Sequence, residues 1–462
     1  MQLPDRGPRH LPLLGHLPQL AIDPIKFLSQ LPQRYGDVVP LRIGVSKTLF
    51  INRPELIQQL LRDRNCFRSE ESRIGLRSFL GNGLLTTEGS QHLRHRRLMA
   101  PAFHRERFRE YGALMSEETY SELTRWGGNQ TRDVREDMTR LTYAIVSKAL
   151  FNMENSVQST HEADEVGKAL QEVLPWMLLG AALAGVAPWL PVIYPPHARR
   201  SLKKLRGLVQ DIIVRRRREG GDRGDLLSML LAARDEDGQP MNDADICDET
   251  LTLLMAGHDT TASTMTWALH LLAQHPQLQA AVADQVLAAT QQGQARVTTE
   301  LLPQMPLVRQ VIDETLRMFP VVWVGDRTPQ RPTSLGPYTI PAGTRVLFAM
   351  FVTQRDARYF PDPERFDPGR FAPDRMKQIP DGAYMPFGGG VHLCIGNHFA
   401  LMEAQIILAA LLSRFTFRSV PNHRVRLDPQ VVLSPHGALP MIVHERSRST
   451  HQTCKSSQLI ST

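Results

Sequence analysis

Ten residues near the C-terminus constrain this chain more than any others: Phe387, Gly388, Gly389, Gly390, Val391, His392, Leu393, Cys394, Ile395 and Gly396. A single cysteine follows three glycines and precedes an apolar stretch over 395–412 that reads as a helix. The free N–H groups and dipole of such a helix would stand beside Cys394 and stabilise its thiolate. Glycines let backbone approach a flat group as no other residue can. Phe387 could shield the sulfur from water. A thiolate is a soft anion that suits haem iron, and a cysteine ligand marks the haem centres that favour O–O cleavage. A structural cysteine buried behind a glycine turn would explain Cys394 alone, but not the whole spacing.

That spacing resembles the signature of the cytochrome P450 family: Phe, Gly three on, a basic residue two further, the ligand Cys two further, and Gly two beyond. Phe387, Gly390, His392, Cys394 and Gly396 fill the five places, with His392 where many members carry Arg. The resemblance runs from Gly7 to about Val443. It implies a mainly α fold with small β-sheets (α+β), a single large cytochrome P450-like helical domain over 1–445. The Ser/Thr/Gln-rich tail over 446–462 is expected to be disordered. It also implies haem b (heme, iron protoporphyrin IX) with Cys394 as axial thiolate.

A second constellation is Ala256-Gly257-His258-Asp259-Thr260-Thr261, inside a long apolar-periodic run. Asn242 or Asp243 suits the N-cap and His275-Pro276 the stop, so the motif falls mid-helix. A threonine there can bond its i−4 carbonyl, here that of Ala256, and distort the helix. Gly257 is expected to leave room for a small ligand against the backbone. Reductive O–O cleavage needs two protons, and a hydroxyl beside a carboxylate can relay them. The family's small-Gly-x-acid-Thr pattern matches, which makes Thr260 and Asp259 the expected catalytic pair.

Glu314-Thr315-Leu316-Arg317 puts a carboxylate and a guanidinium on one helix face. On a surface such a pair contributes only about 0.2–0.5 kcal/mol. Pro363-Glu364-Arg365-Phe366 follows downstream, and in the family the arginine of that segment joins the pair in a buried network. The resemblance therefore makes Arg365 the third member beside Glu314 and Arg317, with a structural role.

The run from Gly89 to Arg97 is strongly basic. Haem carries two propionates, and bare buried carboxylates are costly. The resemblance assigns them to His92 and Arg96, four apart on one helix, to Arg327, and to His392. The neighbouring Arg94, Arg97, Arg105, Arg107 and Arg109 read as a solvated face. On the thiolate side of the haem that face would attract an acidic ferredoxin or flavodoxin. Arg215 to Arg218 read as a solvated helix end.

Composition excludes more than it selects. A length of 462 residues would allow about three domains, yet no linker or repeat divides the chain. Cys66, Cys247, Cys394 and Cys454 are widely spaced, which argues against a disulfide framework and for a reducing compartment. A net charge of +7 is compatible with nucleic acid, anionic lipid or an acidic protein, but no nucleic-acid motif is present. The first eight residues have no apolar core and form neither signal peptide nor anchor. A cytoplasmic monomer of the bacterial type is expected. The uncharged stretch 173–194 approaches the length of a membrane span, but Pro175, Pro188 and Pro191 interrupt it. Two short helices forming an apolar lid are the better reading.

Segments expected to face substrate are the loop before His92, the lid, 254–256, 321–324 and 434–438. Ala256, Val321, Val322 and Val324 are the named pocket candidates, and no charged residue stands out as an anchor. Such a lining suits a lipophilic small molecule: a terpenoid, a steroid or a fatty acyl chain. The implied reaction is monooxygenation with O2, fed by a ferredoxin or flavodoxin and its NAD(P)H reductase, with no fused reductase expected. Two other readings stay open: a peroxide-using peroxygenase or isomerase, and a non-enzymatic haem sensor. The intact Asp259–Thr260 pair weighs against both.

Overall fold

The computed structural model describes residue 4, residues 6–44, 46–151 and 195–446, and positions 169, 172, 173 and 176. Most of the expected lid, the expected tail beyond 446 and Cys454 lie outside these residues. The helices that frame the site, in chain order, are α1 (Pro54–Arg62), α2 (Glu70–Leu80), α3 (Gly89–Met99), α4 (Arg105–Leu123) and α5 (Val134–Phe151). After them come α6 (Pro196–Glu219), α7 (Asp243–Gln274), α8 (Pro306–Met318) and α9 (Asn397–Arg414). The fold is mainly α with small β-sheets, as the resemblance implies.

The longest helix, α7, shows why the sequence folds as it does. The Asn242 side chain accepts from the Asp245 N–H at 2.8 Å and satisfies a donor that the first turn leaves free. His275 precedes Pro276, and a residue before proline disfavours the helical region. Between these ends most residues are buried, so α7 is apolar nearly all round. It packs along α5. A Cβ at Gly257 would lie 2.7 Å from Cγ2 of Val146 on α5. The glycine therefore serves the close approach of two helices, where the sequence suggests room for a ligand. The Thr142 hydroxyl on α5 donates to the His258 carbonyl at 2.9 Å and ties the crossing together.

The main core draws on residues from Phe79 to Val443, so segments far apart in the chain share one interior. Helix α9 is buried along almost its whole length. It starts at Asn397, with Gly396 as N-cap, two residues later than the apolar pattern suggests. A five-stranded sheet lies to one side. Its strands are β1 (Val38–Ile43), β2 (Ser46–Ile51), β3 (Cys66–Phe67), β4 (Gly325–Pro329) and β5 (Arg345–Phe348), in the order β1-β2-β5-β4-β3. The β2–β5 pair is parallel, and β4 runs antiparallel to β5 with Arg327 opposite Val346. Strands Gln130–Asp133, Pro440–Glu445 and Phe415–Ser419 form a second, antiparallel sheet. Among the described residues, no helix is long and apolar enough to cross a membrane.

The buried network at α8 corrects one expectation. Arg317 Nε donates to Glu314 Oε2 at 2.7 Å and Nη2 to Oε1 at 2.9 Å, with both side chains fully buried. The third side chain is Arg370, whose Nε donates to Glu314 Oε1 at 3.3 Å. Arg365 is exposed and offers only its backbone carbonyl, at 3.4 Å from Arg317 Nη2. The chain carries two Pro-x-Arg-Phe segments five residues apart, and the 3-10 turn Pro368–Phe371 carries the second inward. The Asp367 N–H adds a bond to Glu314 Oε1 at 3.0 Å, so the buried carboxylate is well supplied with donors. A second correction falls on α6. Arg216 is not solvated with its neighbours; it is buried and paired with Asp225 at 2.6 Å.

Candidate active site

The Cys394 segment is a loop folded back on itself. The Cys394 N–H donates to the Phe387 carbonyl at 3.0 Å. Gly390 has a φ of +63°, and a Cβ there would fall 1.8 Å from the Leu61 carbonyl oxygen. Only glycine lets the loop lie against the end of α1. Gly388 is also left-handed, at φ +70°. Gly396 caps α9 and turns its N–H towards Cys394. Burial pushes the Cys394 thiol up, against the Gly396 N–H and the Arg96 guanidinium, which favour the thiolate. The sulfur-bearing side chain is nevertheless accessible, so it is set deep among protein atoms but faces an opening. A metal ion there would add the positive charge that completes ionisation.

Helix α7 carries the second set of expected site residues. Its middle carries a half-exposed stripe at Leu253, Ala256, Gly257 and Thr260, the i, i+3, i+4, i+7 positions of one face. The Thr260 hydroxyl donates to the Ala256 carbonyl at 2.7 Å, the bond the sequence predicts. The helix continues unbroken through it, so the bond does not interrupt α7. Asp259 beside it is half-buried. Of the other pocket candidates, Val324 is half-buried, Val322 is exposed, and Val321 is packed into the main core. In the lid, Val173 is packed in that core too, and Trp176 meets His197 edge-on at 5.3 Å.

The four basic residues expected at the propionates come from three segments. The His92 and His392 rings lie 4.5 Å apart, centroid to centroid. Arg96 Nη1 donates to the Leu393 carbonyl at 2.6 Å, which ties α3 to the residue before Cys394. Arg327 on β4 is buried and bonds the Asp326 carbonyl through Nη1 at 2.6 Å. Two residues that sequence reasoning missed join them. Glu88 Oε2 lies 2.7 Å from His392 Nε2, and Glu88 Oε1 accepts from Arg68 Nε at 2.7 Å. Nothing in one sequence pairs positions 304 residues apart. The only local signal is Gly89, whose φ of +59° marks a forced turn into α3.

The electrostatics follow from burial and crowding. Burial, then His392 and Arg68, push the His92 imidazole down to about 3. Burial would raise Glu88, but the His392 hydrogen bond and Arg68 outweigh it and hold the carboxyl at about 2. Burial, then Arg68, lower Arg327 to about 10. His392 is also lowered by burial, with the Glu88 hydrogen bond opposing. Arg327 Nε and His392 Nδ1 are buried without a hydrogen-bond partner among the described residues. Such orphans are rare in folded proteins and mark a place for a polar ligand. A soft sulfur ligand, a glycine-built loop and a basic cluster with unpaired nitrogens together fit haem with its two carboxylates.

The expected basic face is largely paired. Arg94 meets Asp235 at 2.7 Å, Arg97 meets Glu236 at 2.6 Å, and Arg107 meets Glu110 and Asp222, both at 3.0 Å. Arg109 keeps only a loose contact with Glu300 at 3.9 Å and is 89% exposed.

A site that fits haem on such a fold points to one class, and the comparisons with known proteins agree. The family model for Cytochrome P450 matches residues 6–439, and the chain belongs to the cytochrome P450 family. It is a haem-iron monooxygenase, an oxidoreductase that uses O2. It is 36% identical to cyclooctatin synthase of Streptomyces melanosporofaciens, across 95% of both chains. It is 35% identical to cyclooctat-9-en-7-ol 5-monooxygenase of the same organism, and 33% identical to pentalenene oxygenase of Streptomyces avermitilis, each again across 95% of both. Among solved structures, the cytochrome P450DA heme domain superposes with a TM-score of 0.86 at 26% identity, covering 97% of this chain and 98% of that one.

Proposed function

We propose that this enzyme inserts one oxygen atom from O2 into an unactivated bond of a terpenoid, with haem b on the Cys394 thiolate. Electrons come from a separate ferredoxin or flavodoxin with its NAD(P)H reductase. The observation that carries the substrate class is the likeness, across 95% of both chains, to three terpenoid-oxidising relatives. The apolar stripe of α7 and the absence of a charged anchor among the pocket candidates support it.

Haem, when bound, supplies the iron at which O2 is taken up and activated. The rest is the work of this chain's own residues. Cys394 Sγ offers a thiolate, and the Gly396 N–H and Arg96 favour its charge. Arg327, Arg96, His92 and His392 would line the propionates, Arg327 through an Nε that lacks a partner among the described residues. Leu253 and Ala256 present an apolar wall that orients the substrate and excludes water. Thr260 holds a proton at Oγ1, in a side chain already anchored to the Ala256 carbonyl at 2.7 Å. Asp259 next to it replenishes that proton.

The test is a spectral titration of the purified ferric protein with a panel of terpene hydrocarbons and alcohols, steroids and fatty acids, followed by product analysis with ferredoxin-driven turnover. Terpenes are expected to displace the distal water and yield mono-oxygenated products. Turnover of fatty acids or steroids alone would overturn the substrate class, and product formed with peroxide but not with reduced ferredoxin would overturn the electron source.

A further inference from the structure

Glu88 stands at the turn that leads into α3, and neither thiolate ligation nor proton relay gives it a task. Its carboxylate nevertheless joins two segments. Oε2 lies 2.7 Å from His392 Nε2 in the Cys394 loop, and Oε1 accepts from Arg68 Nε at 2.7 Å. Arg68 is itself fixed, since its Nη2 donates to the Leu84 carbonyl at 3.0 Å and the Thr87 carbonyl at 2.8 Å. The Glu88 and His392 side chains are only 6% and 5% exposed. Surface carboxylates are rarely worth much, but a buried, fully bonded one fixes geometry.

The consequence falls on the other ring nitrogen. With its Nε2–H given to the Glu88 carboxylate, the His392 ring is held in one orientation, and Nδ1 is buried without a hydrogen-bond partner among the described residues. The His92 ring, 4.5 Å away, limits the freedom of the His392 ring further. The same carboxylate places a negative charge between Arg68 and Arg327, which would otherwise repel one another.

We propose that Glu88 is a positioning residue for the haem: held by Arg68, it grips Nε2 of His392 and fixes that ring in the Cys394 loop, and its charge sets the field of the propionate pocket. This rests on the haem reading above. A failure of that reading would appear in the wild type, as reduced protein with CO that lacks the red-shifted Soret band of a thiolate centre, and would remove this proposal with it.

The test uses haem-loaded wild type, Glu88→Ala, Glu88→Gln, His392→Ala and the two double variants. Haem loss to excess apoglobin is followed by absorbance, and the midpoint potential of the iron by spectroelectrochemistry. Glu88→Ala is expected to speed haem loss by about tenfold, the effect of losing one hydrogen bond to a charged group. In the His392→Ala background the same change should add no more than about twofold, because a residue that acts through the ring has nothing left to act on. Glu88→Gln keeps an acceptor for Nε2 and is expected to load haem even where Glu88→Ala does not fold. Its midpoint potential should rise, since a negative charge is lost near the iron. Haem-loss factors that multiply in either double variant, or a wild-type potential in Glu88→Gln, overturn the proposal.

Discussion

At the scale of single residues, Thr260 and Glu403 illustrate two uses of a polar group inside the fold. The Thr260 hydroxyl is anchored to the Ala256 carbonyl yet stays on the half-exposed stripe of α7, which suits a group that hands on protons. Thr260→Ala should leave folding and substrate binding nearly intact, while NADPH oxidation yields more peroxide and less product. A proton-transfer group contributes about 10²–10⁴ in rate, so the ratio of product to NADPH is the decisive measurement. Coupling at the wild-type level would move the relay elsewhere. Glu403 on α9 is a different case. It is 1% exposed, and neither carboxyl oxygen has a hydrogen-bond partner of good geometry among the described residues. Burial pushes it up to about 8, with Thr261 on α7 opposing only weakly. A carboxyl raised in the folded state binds a proton there that the unfolded chain has released. Stability from this group is complete below the ordinary carboxylate range and is lost as pH rises through about 8. Glu403→Gln removes the titration. Its melting temperature should exceed that of the wild type at pH above about 7 and match it near about 4; parallel curves across that range would refute the assignment.

At the scale of elements, the α8 network separates two arginines that the sequence alone confuses. Arg370 is buried against Glu314, whereas Arg365 is exposed. Removing one partner of a buried ion pair costs about 3–5 kcal/mol, because a desolvated charge is left behind. Exposed substitutions fall within about 0.5 kcal/mol. Arg370→Ala should therefore unfold at much lower denaturant concentration than wild type, and Arg365→Ala should not; equal midpoints would return the role to Arg365. The confusion has a physical source. Pro363-Glu364-Arg365-Phe366 and Pro368-Gly369-Arg370-Phe371 are equivalent as patterns, and only the turn at Pro368–Phe371 decides which arginine points inward. What was legible in the sequence was whatever local geometry dictates. The caps of α7, the Thr260 bond to Ala256 and the glycine loop before Cys394 all follow from residues within a few positions of each other. What escaped needs the tertiary fold. Gly257 faces Val146 on another helix, and Glu88 meets His392 from 304 residues away.

At the scale of the whole molecule, the proposed delivery of electrons by an acidic redox protein would depend on exposed charge. The chain carries a net charge of +7, and its acidic residues are unevenly matched to the arginines around α3 and α4. Arg94 is paired with Asp235, Arg97 with Glu236, and Arg107 with Glu110 and Asp222, so they contribute little field at a distance. Arg109 is 89% exposed with only a loose acidic contact, and Arg62, at the end of α1 that carries the Cys394 loop, is 71% exposed with an equally loose one at 3.9 Å. These two, rather than the whole basic run, are the cations that an acidic redox protein would meet first. Steering by exposed charges is screened within about 8 Å at physiological salt and scarcely affects reactions already inside a complex. The second-order rate of reduction by an acidic ferredoxin should therefore fall as ionic strength rises. Arg62→Ala and Arg109→Ala should each flatten that dependence, while Arg94→Ala should not. Stopped-flow reduction of the ferric enzyme under CO reads the rate directly, since trapping follows the first electron. A rate independent of salt, or an Arg94→Ala effect equal to that of Arg109→Ala, would show that docking uses another face.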